Sequence, residues 1–245
     1  MKKLLGATAI AAFLAVPLAA QEFTEQQIKD LALQAILENP QIVMEAVAIL
    51  QAREDAFEAE QRDTMLLSSR DRLERDPNAP VLGNPDGDIT VVEFFDYNCP
   101  YCKRVMPEVQ ALLDADPNIR LVYREWPILG EGSVFAARAA LASRAQGKYE
   151  EFHWAMMGMR GRAEEASVLK IAAEIGMDLD QLRADMNAPE VDEHIQTSVE
   201  LTAALGFGGT PSFVIGEALL AGFADTAELE SYVAAARKAA AEAAE

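Results

Sequence analysis

The stretch VVEFFDYNCPYCKRVMPEV, residues 91–109, holds the only two cysteines of a 245-residue chain, Cys99 and Cys102. Ile89 to Phe95, ITVVEFF, is a short and nearly continuous apolar run of β-branched and aromatic residues, which predicts a central strand buried on both faces. From Pro100 to about Ala115 the pattern turns helical, with Pro107 inside it as an expected kink. The cysteines therefore fall where a buried strand gives way to a helix. A helix N-terminus offers unpaired N–H groups and a positive dipole end, so Cys99 should ionise below the value of a free thiol. Pro100 suits the first turn, where its missing N–H has no intrahelical partner to lose. Cys102 lies nearly a turn deeper, with the expected role of attacking a mixed disulfide formed on Cys99.

The pair reads as chemical rather than structural. A bridge across two intervening residues closes a tiny loop and adds little stability. A chain of this length can bury a core without it. With 40 acidic against 21 basic residues the formal charge is −19, which excludes nucleic acid and anionic lipid as main partners. MKKLLGATAIAAFLAVPLAA, residues 1–20, has the two lysines, apolar run and small-residue end of a secretory signal peptide. An uncleaved anchor is the alternative, against which the run from Leu4 to Ala20 is short and holds Pro17. Loss of residues 1–20 would take away Lys2 and Lys3 and leave a charge of −21. The expected location is an oxidising, periplasmic compartment.

Outward from the cysteines the chain reads as follows. Residues 24–38 predict a helix with Thr24 as N-cap and Gln27 completing a capping box. Asn39 and Pro40 predict a break, with Asn39 capping a second helix. Ile28, Leu31, Ala32, Ala35 and Ile36, then Ile42, Val43, Ala46, Val47 and Leu50, form an apolar stripe. Gln51 to Asp76 is charged and helix-forming, an expected exposed rod. A domain boundary is expected near Pro77–Pro80, dividing a helical segment, 21–76, from a domain, 77–245. Val81 and Leu82 suggest an edge strand, and IRLVYREW, Ile119 to Trp126, a second buried one. Residues 133–205 are helical in pattern. SFVIG and ALLAG predict a hairpin turning near Gly216 and Glu217, followed by a last helix from Thr226. This order describes an α/β core with an all-helical insertion.

VVEFFDYNCPYC, a kinked helix, YREWPIL, a helical insertion and LGFGGTPSFVIG together resemble the DsbA-like thiol–disulfide oxidoreductases, over residues from about 80 to the C-terminus. The resemblance implies a thioredoxin fold with an inserted all-helical domain. It implies a cis bond at Pro211, packed against the cysteines, with Thr210 presenting backbone to a substrate peptide beside Pro100 and Tyr101. It implies that Glu93, a carboxylate inside an apolar strand, accepts the proton of the deeper cysteine; the alternative is a hydrogen-bonded structural acid. Tyr101 replaces the histidine of the best-known oxidases and adds no positive charge near Cys99, which implies a milder oxidant. The N-terminal helices resemble an oligomerising ScsC-like and Com1-like subgroup, implying a homo-oligomer through residues 22–50. Unfolded or misfolded exported proteins and a membrane redox partner are the implied partners. Beyond the redox-active Cys99–Cys102 disulfide no cofactor is expected.

Two readings from other classes compete. Cys99, Cys102, His153 and His194 are the chain's only Cys and His residues, and HWAMMGM, with His153, Met156, Met157 and Met159, invites a copper reading. Against it, such residues on a helix pack against neighbours, and no metal site is expected. A passive exported scaffold is the third reading, against which the CPYC context argues. Oxidase, isomerase and reductase share this site, so the direction of exchange stays open.

Overall fold

The computed structural model describes residues 23–243, so the expected signal peptide lies outside the described residues. The chain divides into two compact units after Ala56. In the first, α1 (Glu25–Glu38) starts with the expected capping box. The Gln27 N–H donates to Thr24 Oγ1 at 3.3 Å and the Thr24 N–H to Gln27 Oε1 at 2.9 Å. Asn39 does not cap the second helix. Its N–H and its side-chain amide both donate to the Ala35 carbonyl, at 3.0 and 3.3 Å, so it closes α1. The free carbonyls at the end of α1 are the nearer partners for those donors. α2 (Gln41–Glu74) then runs unbroken. Every residue from Phe23 to Ala56 is exposed, the apolar stripe included.

The second unit begins within α2. The expected rod is not exposed along its whole length, because Leu66, Ser69 and Leu73 are buried. Their spacing puts them on one helical face. Leu66 and Leu73 join Val92, Phe94, Val122, Val214, Leu201 and Leu205 in one apolar cluster. The second compact unit begins at Phe57 and so includes this part of α2. Three residues at helical spacing are enough to dock two turns of an otherwise charged helix.

The sheet contains β1 (Val81–Gly83), β2 (Ile89–Phe95), β3 (Ile119–Glu125), β4 (Ser212–Ile215) and β5 (Ala218–Ala221), in the order β1-β3-β2-β4-β5. β2 and β3 are parallel and joined by α3 (Pro100–Ala115), and the other pairings are antiparallel. Alternation along β2 sorts its side chains between two layers. Val92 and Phe94 face the cluster shared with α2 and α8 (Pro189–Ala204). Val91 and Phe95 face the cluster formed by α3, the insertion and α9 (Thr226–Ala243). Glu93 lies between them in register, opposite Tyr123 of β3 and Phe213 of β4. The insertion comprises α4 (Glu131–Ser143), a 3₁₀ turn, α5 (Tyr149–Gly158), α6 (Glu165–Glu174), α7 (Leu179–Asp185) and α8. This is the thioredoxin fold with an inserted all-helical domain.

Candidate active site

Cys99 occupies the N-cap position of α3, and Pro100 stands in its first turn. The sequence reading sets Cys102 deeper than Cys99. In the folded chain Cys99 is 4 % exposed against 0 % for Cys102, because the Thr210–Pro211 loop lies over Cys99. The Cys99 thiol donates to the Thr210 carbonyl at 3.2 Å, and the Thr210–Pro211 peptide is cis. Both cysteines stand as free thiols. Tyr101, 57 % exposed, and Pro100 form the outer rim, while Pro211 is buried. All these residues meet at one end of the sheet. Glu93 enters from beneath, fully within the core.

Electrostatics separate the two thiols. Cys99 is lowered to about 6, first because the Cys102 thiol donates to its sulfur; burial acts against this, and Thr210 and the Cys102 and Tyr101 backbone N–H groups add to it. Cys102 is pushed far upward by burial, and further by Cys99 and the Glu93 carboxylate. Burial, with the Cys99 charge, pushes Glu93 up to about 8. Near neutral pH the site therefore holds one thiolate, one thiol and a carboxyl that can take or give a proton.

Asp96 and Asn98, which the sequence reading did not single out, hold the loop that carries Cys99. Among the described residues the buried Asp96 carboxylate has no cationic partner. It accepts N–H groups from Asn98 (2.7 Å), Ile128 (2.8 Å) and Leu129 (3.0 Å), and the Ser133 hydroxyl at 2.7 Å. Its own carbonyl accepts the Cys99 N–H at 3.0 Å. Asn98 holds Ala163 of the insertion in both directions: Oδ1 accepts the Ala163 N–H at 2.7 Å and Nδ2 donates to its carbonyl at 3.1 Å. Gly132 allows this approach, since a Cβ there would lie 2.1 Å from the Ala163 oxygen. A signal was present in the sequence: an acid and an amide between a buried strand and a reactive cysteine need partners for their own polar groups.

The histidines take no part in this cluster. His153 is buried among Phe95, Tyr97, Tyr123 and Trp154, its Nδ1 3.1 Å from the Tyr97 hydroxyl, and burial lowers it to about 3. His194 is buried against Glu125, Nε2 to Oε2 2.7 Å. Among the described residues no group of three or more His, Cys, Asp or Glu is placed to hold a metal.

A parallel β2–β3 pair with a dithiol at the start of its crossover helix, facing a cis-proline loop, defines the class of thioredoxin-fold proteins with a CxxC site. Within that class the chain belongs to the DSBA-like thioredoxin domain family, which it matches over residues 90–234. It is similar to a solved thioredoxin-like oxidoreductase from Silicibacter pomeroyi DSS-3, at 67 % identity and TM-score 0.68 over 69 % of this chain and 98 % of that one. A linker-deletion mutant of Proteus mirabilis ScsC is 26 % identical, with TM-score 0.67 over 90 % of this chain and 98 % of that one. Among curated proteins, an antiporter named NhaA 1 from Salinispora arenicola is 32 % identical over 55 % of this chain. The chain spans only about a fifth, 21 %, of that relative's length.

Proposed function

We propose that this chain is an exported protein thiol–disulfide oxidoreductase, an isomerase or oxidase of secreted proteins in the periplasm. The observation that carries the reading is the division of labour between Cys99 and Cys102, one lowered to about 6 and the other held protonated and buried. In the reductive half-reaction the Cys99 thiolate attacks a substrate disulfide, forming one mixed disulfide and releasing one substrate thiolate. Cys102 then attacks the Cys99 sulfur and frees the second substrate thiolate. Glu93 takes the Cys102 proton, which fits a carboxyl poised near neutrality. The oxidised Cys99–Cys102 pair runs the same steps backwards on a reduced substrate. Backbone beside Pro211, at Thr210, pairs with the substrate chain.

The exposed stripe of the first unit supports a homo-oligomer. Ile28, Leu31, Ile36, Ile42, Val43 and Leu50 are each at least 40 % exposed, and an apolar run of that extent is a site of association. Several CPYC sites in one assembly would raise their effective concentration on one misfolded chain, which favours isomerisation. A membrane redox partner would reset the pair. Scrambled-RNase refolding and dithiol oxidation, measured on the same preparation, test the reading. Faster recovery of scrambled substrate than of simple oxidation supports isomerase. Oxidation alone supports the plain oxidase, and neither activity overturns the proposal.

A further inference from the structure

Acidic residues make up about one in six of the chain, 40 of 245. Yet the segments that rim Cys99 carry none, and the acids beneath them, Glu93 and Asp96, are buried. Residues 97–107, 126–130, 152–163 and 203–216 contain no Asp or Glu. The contacts already described join them: Thr210 reaches Cys99, Ile128 and Leu129 reach Asp96, and Ala163 reaches Asn98. The same segments carry Lys103, Arg104, Arg160 and Arg162.

Lys103 and Arg162 are tied to the segments around Cys99, and Arg160 lies in sequence between the two residues whose carbonyls Lys103 holds. Lys103 Nζ donates to the Met159 and Gly161 carbonyls, at 3.1 and 3.0 Å, which seats the arginine-bearing loop against the first turn of α3. Arg162 Nη2 donates to the Leu129 carbonyl at 3.0 Å. Arg104 lies 4.4 Å over the Phe223 ring. Glu131 and Glu164 border these segments. Glu164 pairs with Arg162 at 3.6 Å and offsets its charge, whereas among the described residues Lys103, Arg104 and Arg160 stand in no ion pair. Between the cations stand exposed apolar side chains, Tyr101, Ile128 and Leu129.

A local positive field on a chain of charge −19 has to be accounted for. Stabilising the thiolate does not account for it, because the groups that lower Cys99 are Cys102, Thr210 and backbone N–H groups rather than these cations. We infer that the mouth recognises an acidic stretch of polypeptide beside the substrate cysteine. This rests on the thiol–disulfide exchange reading and names its substrate class. The net acidic charge of the chain disfavours non-specific approach of such a segment, and the cations at the mouth favour its approach to Cys99.

The test uses the reduced full-length protein and three synthetic peptides, each a symmetric disulfide flanked by Asp and Glu, by Ser and Gly, or by Lys. In each reaction Cys99 and Cys102 are oxidised to a disulfide while the peptide disulfide is reduced to two thiols. Stopped-flow rates are taken between about 0.01 and 1 M salt, across which the Debye length falls from ~30 to ~3 Å. The acidic peptide is expected to react about tenfold faster than the lysine peptide at low salt, and at nearly the same rate at high salt. In Arg160→Ala/Arg162→Ala that ratio should fall several-fold while the Cys99 titration midpoint stays in place. Lys170→Ala, on α6, should leave the ratio as it is. A lysine preference, or a ratio unmoved by the double variant, overturns the inference alone. If no peptide reacts at all, thiol–disulfide exchange falls with it.

Discussion

The Cys99 thiol donates its hydrogen to the carbonyl of Thr210 at 3.2 Å, so the attacking sulfur and the backbone expected to pair with substrate are in direct contact. Ionisation of Cys99 removes that donor and leaves the carbonyl free to accept an N–H from an incoming chain. The thiolate in turn draws on the Thr210 side chain and the N–H groups of Tyr101 and Cys102.

Thiolate absorbance should therefore titrate with a midpoint near 6 and vanish in Cys99→Ser. The folded-state value is depressed from 9.0, so the stabilising contribution is fully present above about 9 and is lost as pH falls through about 6. Thr210→Val removes one donor to the anion and should raise the midpoint by about one unit, equivalent to ~1.4 kcal/mol. A wild-type midpoint near that of a free thiol would remove the basis for assigning Cys99 as nucleophile.

Cys102→Ala leaves Cys99 without a resolving thiol. Mixed disulfides with exported proteins should accumulate on Cys99 and collapse with reductant on non-reducing gels. An expressed, exported variant that carries no adducts counts against the assignment.

Glu93→Gln should slow resolution more than initial attack, since an amide cannot accept the Cys102 proton. Stability gives an independent readout. The folded-state value of Glu93 is raised from 4.5 to about 8, so the folded reduced protein binds the extra proton and loses stability as pH rises between those values. At about 1.4 kcal/mol per pH unit the cost above pH 8 is on the order of 5 kcal/mol. Glu93→Gln should then be more stable than wild type at pH 8 and nearly equal to it at pH 4.5, by denaturant midpoint. Equal slowing of both steps would return Glu93 to a structural role.

Asp96→Asn turns an amide NH₂ toward donors that now meet carboxylate oxygen, either Ile128 and Leu129 or Asn98 and Ser133. A loss of about 2–4 kcal/mol is expected from the unsatisfied N–H groups. Thermal unfolding measures it, and an unchanged Tm would show that the carboxylate is not what holds the Cys99 loop to the insertion.

Deleting residues 21–56 should give a monomer with Cys99 chemistry intact, reduced isomerase activity and retained dithiol oxidation. Extending the deletion to residue 76 strips Leu66 and Leu73 from the core and should destabilise the domain. Leu66→Ala in the full chain should cost about 2–5 kcal/mol. Light scattering and urea midpoints separate the two effects. A full-length mature protein that is itself monomeric removes the oligomer and its geometric argument for isomerisation.

The sequence by itself determined the local elements around the cysteines. Ile89–Phe95 and Pro100–Ala115 could be read to the residue because a continuous apolar run and a proline-started helix are set by neighbours in the chain. The hairpin after Pro211 and the capping box at Thr24 were legible for the same reason. Tertiary structure decided everything that depends on residues far apart. Whether α2 stays in water after Leu50 depended on an apolar face of the sheet that receives Leu66 and Leu73. The covering of Cys99 came from Thr210, more than a hundred residues away. The role of Asp96 came from three N–H groups and a hydroxyl, most of them supplied by later segments. Burial energies and hydrogen-bond partners belong to pairs of surfaces, and a one-dimensional pattern names one surface at a time.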